Sequence, residues 1–216
     1  MTHTHVGLAC CMAFVTLEAF QAVYLGSVFQ KADSFLVGTL VFGISVVACT
    51  VATAILRPKE LAISVRAWRL VLSLNLLAAL TWTTYFLAVQ LIEPAVVFTV
   101  FSGMVPLGTV LGSWLGIPEG KERRSRIISF GYLVILVSIL FLGAITITEL
   151  SGFVRGGALV AAMGVVLSAV SGGCTALVIL FSVRLNRQGV GPLAQFGLRF
   201  VLYTLLALAA FLSGLD

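Results

Sequence analysis

The sequence predicts an all-α polytopic membrane protein, and three features of its composition and pattern lead to that fold class. Of the 216 residues, 60% are hydrophobic and only 10% are charged, whereas a soluble domain has about 25% charged residues. The mean hydropathy is +1.15. Long apolar segments alternate with short connectors that hold most of the charged side chains, which is the pattern of membrane-spanning helices and their loops.

Seven segments are long enough to cross a membrane, because a span needs about 20 mostly apolar residues for a hydrocarbon core of roughly 30 Å. Numbered in chain order as predicted spans 1 to 7, they are 6–30, 34–56, 67–91, 94–116, 127–148, 157–184 and 193–214. The first span has no basic residue before Val6 and is interrupted by Glu18. It is therefore predicted to be a membrane helix and not a secretory signal.

The basic residues predict the orientation of the chain. Ten of them lie in or directly beside connectors that would face one side of the membrane: Arg57, Lys59, Arg66, Arg69, Lys121, Arg123, Arg124, Arg126, Arg184 and Arg187. The opposite side would have only Lys31 and Arg155. Because cytoplasmic loops carry the excess of Lys and Arg, we expect a multi-pass protein of the inner membrane with its N-terminus in the cytoplasm. The net charge of +5 is thus a topology signal and does not indicate nucleic-acid binding.

The connectors also indicate an inverted internal repeat. A unit of five spans has an odd number of crossings, so a second copy would enter the membrane in the opposite orientation. The connector 30–33, after span 1, is nearly neutral, whereas the connector 184–187, after span 6, is basic. We therefore predict a five-helix repeat at 1–150 and an incomplete inverted repeat at 151–216, made of spans 6 and 7.

Several short motifs resemble one family in their order and spacing. They are Tyr85-Phe86-Leu87-Ala88-Val89-Gln90-Leu91-Ile92-Glu93-Pro94-Ala95, then Ser102, Pro106, Leu115-Gly116-Ile117-Pro118-Glu119 and Gly131, and later Pro192-Leu193 with Arg199-Phe200. In this the chain resembles the EamA-type members of the drug/metabolite transporter superfamily, which have ten helices in two inverted repeats of five. The resemblance implies a secondary transporter. The sequence departs from the family pattern in three ways. Span 1 lacks a Trp-Gly signature, Leu40 stands where an Arg is common, and helices 8 to 10 are absent.

Glu18 is a candidate coupling residue, because a carboxylate in the middle of a span costs about 2.5–3.5 kcal/mol on insertion scales. Gln21 lies three residues further along and on the same helical face. One interpretation is a carboxylate that exchanges a proton for a cationic or zwitterionic ligand. The alternative is a protonated Glu18 that bonds to a neighbouring helix.

Arg199 is the basic residue deepest in a predicted span, with Gln195 one turn before it and Tyr203 one turn after it. Residues at this spacing share a face, so they are predicted to line a cavity. Arg199 could pair with Glu18 or bind an anionic group in a bidentate fork. Alternatively its side chain reaches the cytoplasmic interface, because Pro192 is only seven residues away.

Asn75 and Tyr85 are about three helical turns apart in span 3, so they could line one wall of a cavity. Helix packing, with Tyr85 as an interfacial anchor, is the alternative. Pro106, Gly172 and Gly173 are candidate positions for a kink or hinge. Close contact between helix backbones is the alternative for the two glycines.

These features favour a secondary active transporter or exporter of small metabolites or drugs that works by alternating access, with proton coupling through Glu18 as a hypothesis. No G-x-x-x-x-G-K-[ST] loop occurs, so an ion or substrate gradient would supply the energy. The predicted spans contain no His and no Asp, so an intramembrane enzyme is not expected, and neither a cofactor nor a metal site is predicted.

The alternative to a transporter is a truncated or accessory membrane subunit that binds a partner and does not transport alone. Expected partners are the bilayer, a small-molecule substrate, and either a second copy in a homodimer or a protein that supplies the missing helices.

Overall fold

The computed structural model describes residues 2–29, 34–114, 126–148, 150 and 156–213. Within these residues every long regular element is a helix. In chain order the helices are α1 (Thr2–Phe29), α2 (Ser34–Leu56), α3 (Pro58–Arg66), α4 (Trp68–Leu91), α5 (Pro94–Trp114), α6 (Arg126–Ile147), α7 (Gly157–Arg187), α8 (Pro192–Arg199) and α9 (Val201–Leu212).

Six segments of the described chain are long and apolar enough to cross a membrane. They are Phe35–Leu56, Trp68–Leu91, Pro94–Gly112, Arg126–Ile147, Gly157–Arg187 and Pro192–Leu212. They confirm the predicted multi-pass helical protein, and predicted spans 2 to 7 each coincide with one of them apart from a few residues at the ends. Predicted span 1 falls on α1, in which the apolar stretch His5–Leu17 is shorter. A seventh crossing and the inverted repeat therefore stay predictions.

The connector between predicted spans 2 and 3 contains a helix, α3, that the hydropathy pattern does not reveal. Pro58 occupies the first turn, where its missing N–H costs nothing. Glu60 lies in the first turn and Arg66 in the last, so both charges are favourable for the helix dipole. Ile63 packs on a buried cluster formed by Leu74, Leu185, Val190 and Ala194. The short helix is thus held against the ends of α4, α7 and α8.

The helices pack as two groups. In the α7 group, α7 packs mainly against α4 and α5, and α6 lies on α5 and α7. In the α2 group, α2 packs against α8 and α9. Helix α4 also contacts α8 and α9, so it joins the two groups. The short connection Glu93-Pro94 makes α4 and α5 neighbours.

Small residues let α7 approach its neighbours closely. A Cβ atom on Gly172 would overlap the backbone oxygen of Phe101 and lie 2.6 Å from the Cβ of Met104. The hydroxyl of Ser171 donates to the Thr81 carbonyl across the α7–α4 contact, at 2.8 Å. A Cβ on Gly173 would have no neighbouring atom of the described residues within 4 Å, apart from its own helix. Close packing therefore accounts for Gly172, while a hinge at Gly173 stays a prediction.

Pro106 lies inside the helix α5. Proline removes one backbone donor from a helix, and the Pro106 carbonyl accepts a hydrogen bond from the Thr109 hydroxyl at 2.7 Å. The predicted kink at this position is compatible with a continuous α5 and stays a prediction.

The adjacent glycines give a matched test of the α5–α7 contact. Gly172→Ala is expected to lower the free energy of unfolding in mixed micelles by about 1–3 kcal/mol, because the added methyl group pushes α7 away from α5. Gly173→Ala adds the same methyl group where there is space, so we expect no loss of stability. Equal losses in the two variants would contradict the packing described here.

Candidate functional site

The last apolar span is interrupted at Phe200, between α8 and α9. In a continuous helix the N–H of Leu202 would donate to the carbonyl of Leu198. Instead, the Asn75 carboxamide lies between them. Its Oδ1 accepts from the Leu202 N–H at 3.0 Å, and its Nδ2 donates to the Leu198 carbonyl at 2.8 Å. A side chain inserted into the helical hydrogen-bond ladder is a recognised cause of a break.

A second side chain supports the end of α8. The Thr50 hydroxyl donates to the Gly197 carbonyl at 3.3 Å. A Cβ on Gly197 would lie 2.7 Å from the Thr50 Oγ1 and 2.8 Å from the Thr50 backbone nitrogen, so only glycine allows α8 to approach α2 this closely. Thr50 and Asn75 therefore satisfy backbone groups that would otherwise be costly in an apolar environment.

Arg199 lies at the break and is half-buried. Its guanidinium carbon is 4.0 Å from the ring centroid of Phe196 and 4.4 Å from that of Phe200, at a distance at which a cation interacts with an aromatic face. Its Nε is buried and has no hydrogen-bond partner among the described residues, nor does any carboxylate of the described chain form an ion pair with it. The charge is therefore only partly compensated by the protein.

A cavity of about 270 Å³, called the Arg199 cavity below, lies between α7 and α8. Its polar lining residues are Ser182, Asn186, Gln195 and Arg199, and its apolar ones are Ile179, Val183, Pro192 and Phe196. The Ser182 hydroxyl is buried and has no partner in the described structure. At roughly 30 Å³ for each water-sized volume, the cavity has space for a small metabolite or ion.

Gln195 shapes this cavity from its α8 side. Its buried amide donates to the Val190 carbonyl at 2.7 Å and to the Ser182 carbonyl at 3.1 Å. These bonds fix the turn between α7 and α8. At the residue before α8, the Gly191 N–H donates to the Glu60 carboxylate at 2.8 Å, and that carboxylate also pairs with Arg57 at 3.1 Å. A hydrogen bond therefore joins α3 to the start of α8.

A cluster of aromatic rings lies on the other side of the break, where the α2 group meets the α7 group. Its members are Phe42, Trp82, Tyr85, Phe86, Phe101, Phe200 and Tyr203. Phe42 of α2 is 4.8 Å from Trp82 between ring centroids, and Tyr203 of α9 is 6.0 Å from Phe86. The rings fill the space between the two groups, so this region is a packed core.

The structure divides the predicted site residues among three places. Gln195 and Arg199 line the same cavity, whereas Tyr203 lies beyond the break, in the aromatic cluster. Tyr85 is in that cluster too, while Asn75 binds the break. Glu18 and Gln21 belong to α1, and their side chains lie outside the described part of the structure.

Sequence reasoning missed two polar residues of the cavity, Ser182 and Asn186. They are one helical turn apart near the basic end of α7, and this spacing puts them on one face. The same spacing of four residues separates Gln195 from Arg199, so this shared periodicity is the signal that could have found them. No sequence pattern predicts the role of Thr50, because its bond to the Gly197 carbonyl depends on a tertiary contact.

Replacing Asn75 tests whether its carboxamide holds the break. Asn75→Leu preserves the approximate size but removes two hydrogen bonds between helices, and we expect a loss of about 1–2 kcal/mol of unfolding free energy in mixed micelles. Ser73→Ala is the control, because the Ser73 hydroxyl bonds only within α4. A loss in the control as large as in Asn75→Leu would contradict the assignment.

Comparison with known proteins adds no relative: no family profile, no curated protein and no solved structure matches the chain. The similarity of its motifs to EamA-type transporters therefore stays an expectation. The features of the molecule that bear on its function are the Arg199 cavity, the broken span and the six apolar helices.

Proposed function

We propose that the chain is a secondary transporter of the cytoplasmic membrane and that the Arg199 cavity binds a small molecule with an anionic group. The observation that carries the proposal is Arg199 itself. It is a charged side chain inside an apolar span, about 10 Å along the helix axis from Pro192, and it has a buried donor without a partner in the described chain. Ionisable residues in membrane spans commonly mark a substrate pathway.

The chemistry of the cavity favours an anion. Guanidinium presents several N–H groups in a planar fork that matches a carboxylate or phosphate. The Phe196 and Phe200 rings restrict the guanidinium, so less conformational entropy would be lost on binding. The Ser182 hydroxyl and the Asn186 amide border the same cavity and can bond to further oxygens of a ligand.

The division into two helix groups supports alternating access as the mechanism. The α2 group and the α7 group meet at the aromatic cluster and at Asn75, where ring contacts and a few hydrogen bonds could re-form in a second arrangement. Broken helices beside a binding site are a recurrent feature of transporters, in which one bundle rocks against another. We propose that the two groups move in this way and that the cluster closes the route past Arg199.

The orientation and energy source belong to the same proposal. The Glu60–Gly191 hydrogen bond joins the connector after α2 to the connector after α7, which is consistent with both connectors lying on the cytoplasmic side. Glu18 of α1 is the proposed proton-coupling residue. Similarity to EamA-type transporters supports the same function class.

The transport test uses purified protein in proteoliposomes on a solid support, with currents recorded for carboxylates, amino acids, sugar phosphates and organic cations. We expect a current for an anionic or zwitterionic substrate. Arg199→Gln should raise its apparent KM about 10- to 100-fold, the effect of losing a charged hydrogen bond. Arg199→Lys should recover only part of the affinity, because it retains the charge and loses the fork.

Arg184→Gln is the matched control, because it removes the same charge from an exposed position at the end of α7 outside the cavity lining. It should leave the KM nearly unchanged. An equal effect in both Gln variants would remove Arg199 from the binding site. A folded protein with no current for any compound would favour the accessory-subunit alternative.

A further inference from the structure

A second, larger cavity opens between α3, α4 and α9, on a different surface from the Arg199 cavity. Its volume is about 660 Å³, and Val65, Trp68, Leu72, Leu202 and Leu205 form much of its wall. All of these except the half-buried Leu202 are exposed large hydrophobic residues. We call it the Trp68 groove.

The hydroxyl and the carboxamide side chains of this groove, Ser64 and Asn75, are already occupied. Asn75 uses both of its amide protons, on the Val71 and Leu198 carbonyls, and its oxygen accepts from Leu202. The Ser64 hydroxyl donates to the Glu60 carbonyl at 2.8 Å. The groove therefore offers little to a polar ligand, and its chemistry selects an apolar one.

The size of the groove fits a lipid chain. A methylene group takes nearly the space of a water molecule, roughly 30 Å³, so about 660 Å³ accommodates an acyl chain of ordinary length. The groove lies beside apolar spans, where lipid is the surrounding solvent. An empty groove of this size would lose dispersion contacts along its whole wall.

A basic cavity of about 420 Å³ adjoins the groove and shares Trp68 with it. Arg66, Arg69 and the exposed Gln188 also border this cavity. Arg69 lies 5.5 Å from the Trp68 ring centroid, and no described carboxylate forms an ion pair with Arg66 or Arg69. Trp68 thus separates an apolar compartment from a basic one, as a tryptophan does at a membrane interface.

We propose that this pair of cavities binds one anionic phospholipid. An acyl chain fills the Trp68 groove, and the phosphate lies between Arg66 and Arg69, in line with the affinity of basic intramembrane pockets for anionic head groups. The acyl chain contacts Leu198, Val201 and Leu202, which line the groove and flank the break at Phe200. The lipid therefore supports the discontinuous span from its lipid-facing side.

Native mass spectrometry of delipidated protein tests this site with dioleoyl phosphatidylglycerol and dioleoyl phosphatidylcholine as probes. We expect one tightly bound phosphatidylglycerol and at least tenfold weaker binding of phosphatidylcholine. The double variant Arg66→Gln/Arg69→Gln should lose that preference. Lys59→Gln/Arg184→Gln removes the same charge from the same end of the protein, outside both cavity linings, and should retain it.

Filling the groove gives a second, independent readout. Leu72→Trp and, separately, Leu205→Trp should each reduce the stoichiometric binding of phosphatidylglycerol at least tenfold, with gel filtration and circular dichroism confirming the fold. Glycerol phosphate, which has the head group without a chain, should compete poorly. Any one of three results would overturn the proposal. They are equal binding of the two lipids, an equal loss of preference in Arg66→Gln/Arg69→Gln and in the control Lys59→Gln/Arg184→Gln, and unchanged binding after the groove is filled. None of these results depends on transport activity.

Discussion

The structure depends on the replacement of one backbone hydrogen bond by a side chain. The carboxamide of Asn75 takes the place of the bond between Leu202 and Leu198, donating to one group and accepting from the other. In an apolar environment each unpaired backbone group costs several kcal/mol, so a break at Phe200 is tolerable only where such a partner is present. The break separates α8, whose Arg199 lies at the cavity, from α9, whose Tyr203 lies in the aromatic cluster.

The same interaction lies where the two helix groups meet. Glycine and serine bring α7 close to α4 and α5, so that group is joined by backbone contact and by the Ser171–Thr81 hydrogen bond. The contact with the α2 group is of a different kind, made by aromatic rings and by Asn75. Rings can exchange partners at less cost than interlocked backbones, because dispersion contacts are numerous and individually weak. Closely packed groups that meet at an adaptable contact are what the proposed alternating access requires.

Hydropathy and length predicted six of the seven spans as long apolar helices, since bilayer thickness sets the length of a span locally, while the first span stays a prediction. They did not predict α3, whose stability comes from Pro58, from terminal charges and from the packing of Ile63 on other helices. The stripe formed by Gln195 and Arg199 was predicted from helical spacing and holds as far as the break. Tyr203 lies beyond the break, in the aromatic cluster. Asn75, which bonds at the break, is 123 residues from Leu198 in sequence, and no local pattern reveals such a contact. The site residues that one helix supplies, Gln195 and Arg199 of α8, were thus predictable. The contact of Asn75 at the meeting point of α4, α8 and α9 was not.

The sequence separation of this contact also has a consequence for biogenesis. A ribosome that adds about 5–20 residues per second makes the 123 residues between Asn75 and Leu198 in roughly 6 to 25 s. Until the end of that interval α8 is incomplete and α9 has not been made, so the amide has only the Val71 carbonyl of its own helix to bind. The bonds of Asn75 to Leu198 and Leu202 therefore form only after α8 and α9 have been synthesised.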